Sequence, residues 1–480
     1  MATEIQFHNT LTGKKEPFAP LHPPEVRIYT CGPTVYDFAH IGNFRTFTFQ
    51  DVLRRFLRMR GYRVNQVMNL TDVDDRIIEN AQKLGLGIRE YTEKFIQAFL
   101  EDRAALKLEE PERLIRATDH IEDMVALIER LREKTFTYTA DGSVYYRIAK
   151  FPEYGKLSKI DLGGIQAGAR VEVDRYDKAD ARDFALWKAP KPGEHFWETR
   201  LGPGRPGWHI ECSAMAMKYL GETLDIHTGG VDLVFPHHEN EIAQSEAATG
   251  KPFARLWMHS EFLNVAGEKM SKSLGNIFTV RDLFAQGHKP SAVRFVLLSV
   301  PYRSQLTFTG EALQQAASSV ERLRNFVRRL KTEKFPAGET PAVAGRIRQA
   351  ESDFDAALAD DLNTAVALAA VFDLVRDVNT SIDRGGFRQG DVAGVLRAME
   401  VFDRVLATLE DDDAARLAAL GLGAQTEQIS DGEIARLVEE RQAARQRRDF
   451  ATADRIRQEL AGRGIILEDT KDGGVRWKRK

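Results

Sequence analysis

The apolar positions Phe49, Val52, Leu53, Phe56 and Leu57 recur three, one, three and one residues apart. That is the stripe of an amphipathic helix, and Gly61 ends it. A short β-type run, Val26–Cys31, comes before this helix and closes in Gly32-Pro33. Val64–Leu70 follows as a second strand. Strand, helix, strand predicts a βαβ unit of a parallel sheet. Arg89–Leu106 reads as a further helix. Over residues 111–205 the regularity fades into a helix near Asp119–Glu133, a β-type run at Ser143–Arg147 and a Pro-, Gly- and Lys-rich loop from Trp187 to Gly207. This predicts an insertion between two halves of one sheet domain, 1–110 and 206–310, with α/β character returning over Trp208–Val280. From Glu311 the chain turns to Ala, Leu, Arg, Asp and Glu. Val320, Leu323, Val327 and Leu330 keep helical spacing, and Leu362–Val378, Val392–Leu409 and Ala414–Leu420 also read as helices. These predict a helix bundle over 311–424. Gly421–Gly432 reads as a linker. The final stretch, 425–480, reads as a small mixed α/β module: one charged helix, Glu433–Leu460, and a β-like end, Ile465–Trp477. No internal repeat or low-complexity segment interrupts this order.

Composition narrows the class. At 480 residues the chain exceeds a single core, and three or four domains are expected. Hydrophobic residues at 43% and charged residues at 29% are ordinary for a globular chain and exclude collagen-like, wholly disordered and disulfide-scaffold classes. The net charge of −3 gives no global basic field, so a polyanion site has to be a local patch. No apolar run approaches the ~18–20 residues of a membrane span, so no membrane partner is expected. Met1–Asn9 carries Glu4 and no apolar segment, which argues against a secretory signal. Two cysteines in the whole chain point to a reducing compartment, and the cytoplasm is the expected location.

Five segments carry candidate chemistry. The first runs from Cys31 through His40, Ile41, Gly42 and Asn43, between the first strand and the first helix. Ligands bind at the carboxyl ends of strands in an open parallel sheet, and a helix start offers N–H groups and a positive dipole end to phosphate. Gly42 lets the backbone approach a ligand, and His40 and Asn43 bring donors. A plain strand-to-helix turn with a capping Asn accounts for the same residues. The second is Lys269-Met-Ser-Lys272-Ser273, between Gly267 and Gly275: two lysines and nearby hydroxyls that make either a polyanion clamp or a solvated loop. In the third, five of the eleven histidines fall between His209 and His259, with Cys212 among them. His237 and Glu241 are four apart and would share a helix face. With Cys31 and Cys212 they would form a two-sulfur, one-nitrogen, one-oxygen set suited to tetrahedral zinc; the alternative is two buried free thiols and an exposed His-His-Glu. The fourth is Trp208, either the wall of a small pocket or a core residue. The fifth is basic: Arg322, Arg324, Arg328, Arg329 and Lys331 in one helix, and a final fifty residues with 13 Lys/Arg against 10 Asp/Glu ending Arg-Trp477-Lys-Arg-Lys. Basic side chains with an exposed aromatic suit RNA, and a solvated face suits them equally.

Together these residues resemble the cysteinyl-tRNA synthetases, a family of class I aminoacyl-tRNA synthetases. His40-Ile41-Gly42-Asn43 resembles the class I His-Ile-Gly-His signature, with Asn in the last place, and Lys269–Ser273 matches the Lys-Met-Ser-Lys-Ser signature without change. The resemblance extends through Tyr29–Tyr36, Asn69–Asp75, Gly207–Cys212, Phe235–Glu241, Asp360–Thr364 and Arg447–Arg457, nearly the whole chain. It implies a Rossmann-like catalytic domain split by an insertion, a helical bundle and a C-terminal anticodon-binding module. The implied activity joins cysteine to its tRNA through cysteinyl-adenylate, with ATP and Mg²⁺ as substrate and one zinc held by Cys31, Cys212, His237 and Glu241. It further implies ATP binding by His40, Gly42 and Lys272, catalytic roles for His40, Asn43, Lys269 and Lys272, and an amino-acid pocket walled by Thr71 and Trp208. A monomer is expected. Two other readings stay in view: an ATP-dependent ligase joining cysteine to an amino-sugar inositol, and a non-catalytic RNA-binding paralogue.

Overall fold

The computed structural model describes residues 3–160, 182–265, 268–269, 277–422, 431–447, 449–462, 465–469 and 475–479. They form two compact units, Met1–Arg416 and Leu417–Lys480.

The first unit is built on a five-stranded parallel sheet. In chain order its parts are β1 (Glu25–Thr30), α1 (Ile41–Met59), β2 (Arg63–Leu70), β3 (Arg113–Arg116), α2 (Trp208–Leu220), β4 (Leu224–Gly230), α3 (Glu239–Thr249) and β5 (Ala254–Ser260). The strands lie in the order β5-β4-β1-β2-β3, all parallel, with Tyr29 opposite Val67 and Ile28 opposite Ile226. This is a doubly wound order that reverses direction between β1 and β4, the crevice where such sheets bind ligands. Cys31 extends β1 into that crevice and donates its N–H to Thr228 at 3.2 Å. Gly32 is required there, because a Cβ on it would lie 1.8 Å from the Asn69 carbonyl oxygen.

The insertion begins later than the hydrophobic pattern placed it. β3 lies within 111–205 yet joins the parallel sheet, and the helix Ile121–Glu133 packs on α2 and α3. β3 leaves little mark on the apolar pattern because its four residues, Arg-Leu-Ile-Arg, hold no more than two apolar positions. The remainder carries an antiparallel sheet of Thr137–Ala140, Ser143–Tyr146, Phe184–Lys188 and Arg205–Pro206, in that order; residues 161–181 lie outside the described part.

The helices Gly310–Thr332, Pro341–Ala359, Thr364–Asp383 and Asp391–Leu406 form the bundle. The second of these was not anticipated, since four of its six buried residues are small or at its end: Val343, Ala350, Phe354, Ala357, Leu358 and Ala359. Arg294, from the helix Pro290–Leu298, ties the bundle to α1. Its guanidinium meets the buried Asp51 carboxylate at 2.6 Å and donates to the Leu406 carbonyl at 2.7 Å. Arg324 does not belong to an exposed basic patch: it is buried against Asp413 at 2.7 Å and donates to the Thr408 carbonyl. Arg329 is likewise spent on Asp383 at 2.8 Å and on Glu333.

In the second unit the expected single helix is two, Asp431–Gln446 and Phe450–Gly462. Asp449 breaks it by accepting the Thr452 N–H at 3.1 Å, an N-terminal cap that competes with helix continuation. The strands Ile465–Asp469 and Val475–Arg479 pair antiparallel. Ile434, Leu437, Val438, Ile456, Leu460, Ile465 and Leu467 make the core, with Trp477 packed on it. Trp477 is therefore a core-side residue rather than the exposed aromatic its basic surroundings suggested. Most of the expected linker, 423–430, lies outside the described residues.

Candidate active site and metal centre

Four elements converge on one buried cluster at the β1/β4 crevice. Cys31 directly follows β1, Cys212 lies one turn into α2, His237 sits in the turn before α3, and Glu241 is in its first turn. All four are buried, and one ligand atom from each lies within 4.8 Å of every other. The two Sγ atoms are 3.9 Å apart. Tetrahedral zinc with bonds of about 2.3 Å to sulfur separates two thiolates by about 3.8 Å. His237 Nε2 and Glu241 Oε1 are 3.1 Å apart, close to the roughly 3.3 Å that bonds of about 2.0 Å would set. The residues present fit the metal.

The charge states favour a cation. Burial opposes ionisation throughout, yet the Cys31 hydrogen bond and the His237 charge bring the Cys212 thiol down to about 6. Burial likewise works against Glu241, but His227 and His237 hold its carboxyl down to about 2. Burial opposes charge on His237 too, and the Cys212 thiolate lifts it to about 10. Burial, then the neighbouring Cys212, pushes the Cys31 thiol up. The protein thus holds two anions around one protonated imidazole, and a metal would take the place of that proton and of the Cys31 thiol proton.

A second set, Cys31, His227, His238 and Glu241, also lies close enough to hold an ion. It offers a single thiolate, so the soft-metal fit is poorer. Its histidines instead buttress the first set. His227 Nε2 meets Glu241 Oε2 at 2.9 Å, and His238 joins His259 at 2.7 Å, which joins Thr10 at 2.8 Å. Such outer partners orient metal ligands. Gly229 makes room for this: a Cβ there would sit 2.7 Å from the His238 ring. His209 Nδ1 faces His237 Nδ1 at 3.0 Å and orients that ring. The sequence signalled this ring of histidines only as an excess between 209 and 259.

Trp208 is the first residue of α2 and is half-buried, its ring 4.3 Å from that of His237. It borders the cluster rather than filling the core. Thr71 follows β2; its hydroxyl accepts from Asn69 Nδ2 at 3.1 Å and bonds Glu211. Glu211 is a residue the sequence did not single out. It is buried, and burial, then the Cys212 charge, raises its carboxyl well above the usual range.

At the other end of the crevice, His40 and Asn43 cap α1 reciprocally. His40 Nδ1 accepts the Asn43 N–H at 3.2 Å, and Asn43 Oδ1 accepts the His40 N–H at 3.0 Å. Asn43 thus spends its side-chain oxygen on the helix start, the capping alternative. Gly42 lies in that first turn. The Ile41 N–H is taken by the Phe278 carbonyl at 2.8 Å, and His40 bridges Thr279. Lys269 lies in a short strand opposite Asn264. Lys272 and most of its loop lie outside the described residues, but the chain resumes against the start of α1. Phe278 and Thr279 thus return to the start of α1 from more than 200 residues further along the sequence.

The model described as tRNA synthetases class I (C) catalytic domain matches residues 17–318, the DALR domain matches 353–409, and the cysteinyl-tRNA ligase anticodon binding domain matches 430–477. A methionyl-tRNA synthetase of Mycobacterium tuberculosis, solved with methionyl-adenylate, superposes with a TM-score of 0.58 at 17% identity, covering 84% of this chain and 92% of that one. The doubly wound sheet with its two signature segments is that of a class I aminoacyl-tRNA synthetase. Cysteine–tRNA ligases of Koribacter versatilis and Solibacter usitatus are each 57% identical, covering 99% of this chain and 100% of theirs. The chain belongs to the cysteine–tRNA ligase family. Among the described residues no helix is long and apolar enough to cross a membrane.

Proposed function

We propose that this protein attaches cysteine to its cognate tRNA in two steps, with a zinc ion at the Cys31, Cys212, His237 and Glu241 cluster and ATP with Mg²⁺ as substrate. The cluster's two thiols, 3.9 Å apart beside Trp208 at the ligand crevice, carry this reading. In the first step the substrate carboxylate attacks the α-phosphate of ATP and pyrophosphate leaves. In the second a ribose hydroxyl at the tRNA 3′ end takes the aminoacyl group and AMP leaves. No side chain has to become covalently attached. The capped start of α1, with His40 and Gly42, offers a positive dipole end to the ATP phosphates. Lys269 and Lys272 neutralise charge as pyrophosphate departs. Trp208 and Thr71 wall the amino-acid pocket. Zinc, when bound, supplies a soft Lewis acid that prefers a thiolate to the hydroxyl of serine. A purely apolar pocket would separate two such near-isosteres only about 10²-fold.

ATP–pyrophosphate exchange with cysteine tests the first step, and repeating it with tRNA or an amino-sugar inositol as acceptor tests the second. Transfer to the inositol and not to tRNA would refute the assignment.

The C-terminal unit supports the tRNA assignment, with its excess of basic residues and its match to an anticodon-binding model over 430–477. Ending the chain after about Ala424 is expected to leave cysteine-dependent exchange intact. The kcat/KM for tRNA should fall by about tenfold or more, with a shallower dependence of affinity on salt. Equal tRNA affinity and salt slope for both lengths would show that the unit does not read tRNA.

A further inference from the structure

Next to the start of α1 the loop carrying Tyr36 and Asp37 faces the helices Asp75–Leu84 and Ile88–Ala105 across a cleft of ≈ 300 Å³, and Phe38 stands beside it against Phe95. The cleft is built, not incidental. Tyr91 Oη donates to the Tyr36 carbonyl at 2.8 Å and accepts from Asn80 Nδ2 at 3.1 Å, which pins the loop to both helices. The Arg76 guanidinium lies 3.9 Å over the Tyr36 ring, and the Lys94 ammonium 4.6 Å over that of Phe95. Phe38 is 45% exposed and stands edge-on to Phe95 at 5.2 Å. It sits two residues before His40. Large exposed apolar side chains are few among the described residues, and one placed at the mouth of an active site asks for a ligand. Two carboxylates, Asp37 and Glu79, line the same cleft. Asp37 accepts the Phe38 N–H at 2.9 Å and so fixes the aromatic in place.

Aromatic faces flanked by cations suit single-stranded nucleic acid, with bases stacking on rings and phosphates meeting the charges. The carboxylates would repel a bare polyanion but accept from an exocyclic amine, as on cytosine. The tRNA 3′ end, single-stranded C-C-A, has to reach this part of the crevice for the second step, and the cleft is too small for a duplex. We propose that it takes an unpaired cytosine of that end: its ring on Phe38, its amino group on Glu79, and an adjoining phosphate neutralised by Lys94. The inference rests on the tRNA-charging reading above.

The test uses the full chain with Phe38→Ala and Glu79→Gln, and a tRNA carrying the fluorescent analogue pyrrolo-cytidine at its penultimate position. Phe38→Ala should lower kcat/KM for tRNA about tenfold. The KM values for ATP and cysteine in pyrophosphate exchange should stay within about twofold, which also reports that the variant folds. Wild type should quench the analogue and Phe38→Ala should not. Replacing that cytosine by uridine should harm wild type more than Glu79→Gln. Unchanged charging and quenching in Phe38→Ala would overturn the inference alone. So would a raised KM for ATP, which would assign the cleft to the adenine ring. A wild-type chain that exchanges pyrophosphate but charges no tRNA would overturn the charging reading and this inference with it.

Discussion

Cys212→Ser is expected to raise the KM for cysteine by about 100-fold or more, since loss even of a metal ligand's outer partner costs about 10–100-fold in affinity or activity. Cys212 is the thiol that the cluster already holds down to about 6, so it brings a thiolate to a metal with little deprotonation cost at neutral pH. A serine hydroxyl keeps the shape and loses the soft anionic donor. Zinc content should fall together with cysteine activation, and the ratio of cysteine to serine activation should narrow, because the atom that distinguishes the two substrates has lost its partner. Metal analysis and pyrophosphate exchange with each amino acid check this. A variant that loses zinc but keeps the wild-type ratio would make the metal a scaffold only.

Lys272→Ala is expected to slow adenylate formation by about 10²–10³-fold, the usual cost of removing one positioned donor from a developing anion. The KM for cysteine should change by less than about threefold, because the lost interaction tightens as pyrophosphate departs and does not touch the amino acid. Beyond that loop, the Phe278 carbonyl takes the Ile41 N–H at 2.8 Å, at the helix start proposed above to face the ATP phosphates. Pyrophosphate exchange at saturating cysteine measures the effect, and an unchanged rate would remove Lys272 from the phosphate site.

Much of this architecture is legible in the chain because buried elements repeat their apolar positions. β1, α1 and β2 are found within one residue at most of their edges, since buried apolar residues recur along both strands, Val26, Ile28 and Tyr29 in β1 and Val64, Val67, Met68 and Leu70 in β2. What stays hidden lacks that signal. β3 is four residues with two arginines, and the helix Pro341–Ala359 buries three alanines that periodicity barely registers. The tail's single apparent helix is divided by a cap at Asp449, a local hydrogen bond with no hydrophobic signature. Trp477 reads as an exposed aromatic because its neighbours are basic, and the core beneath it belongs to distant residues.

The site shows the same division. Cys31 and Cys212 stand out as the chain's two cysteines, and His237 with Glu241 by helical spacing. His227, which braces Glu241, sits alone on a strand, and Glu211 reaches Thr71 only through the packing of α2 against β2. Neither relation has a fixed spacing in sequence, so only the fold reveals them. His40 and Asn43 were legible as a helix start, but whether they face phosphate or each other was not. Their reciprocal cap shows that Asn43 holds the turn that carries His40.

A metal held by Cys31, Cys212, His237 and Glu241 is proposed to meet the substrate sulfur. Absorption spectroscopy of the cobalt-substituted protein, titrated with cysteine and separately with serine, tests it most directly. The account predicts a sulfur-to-cobalt charge-transfer band that grows with cysteine and is unmoved by serine; a spectrum indifferent to both amino acids would contradict it.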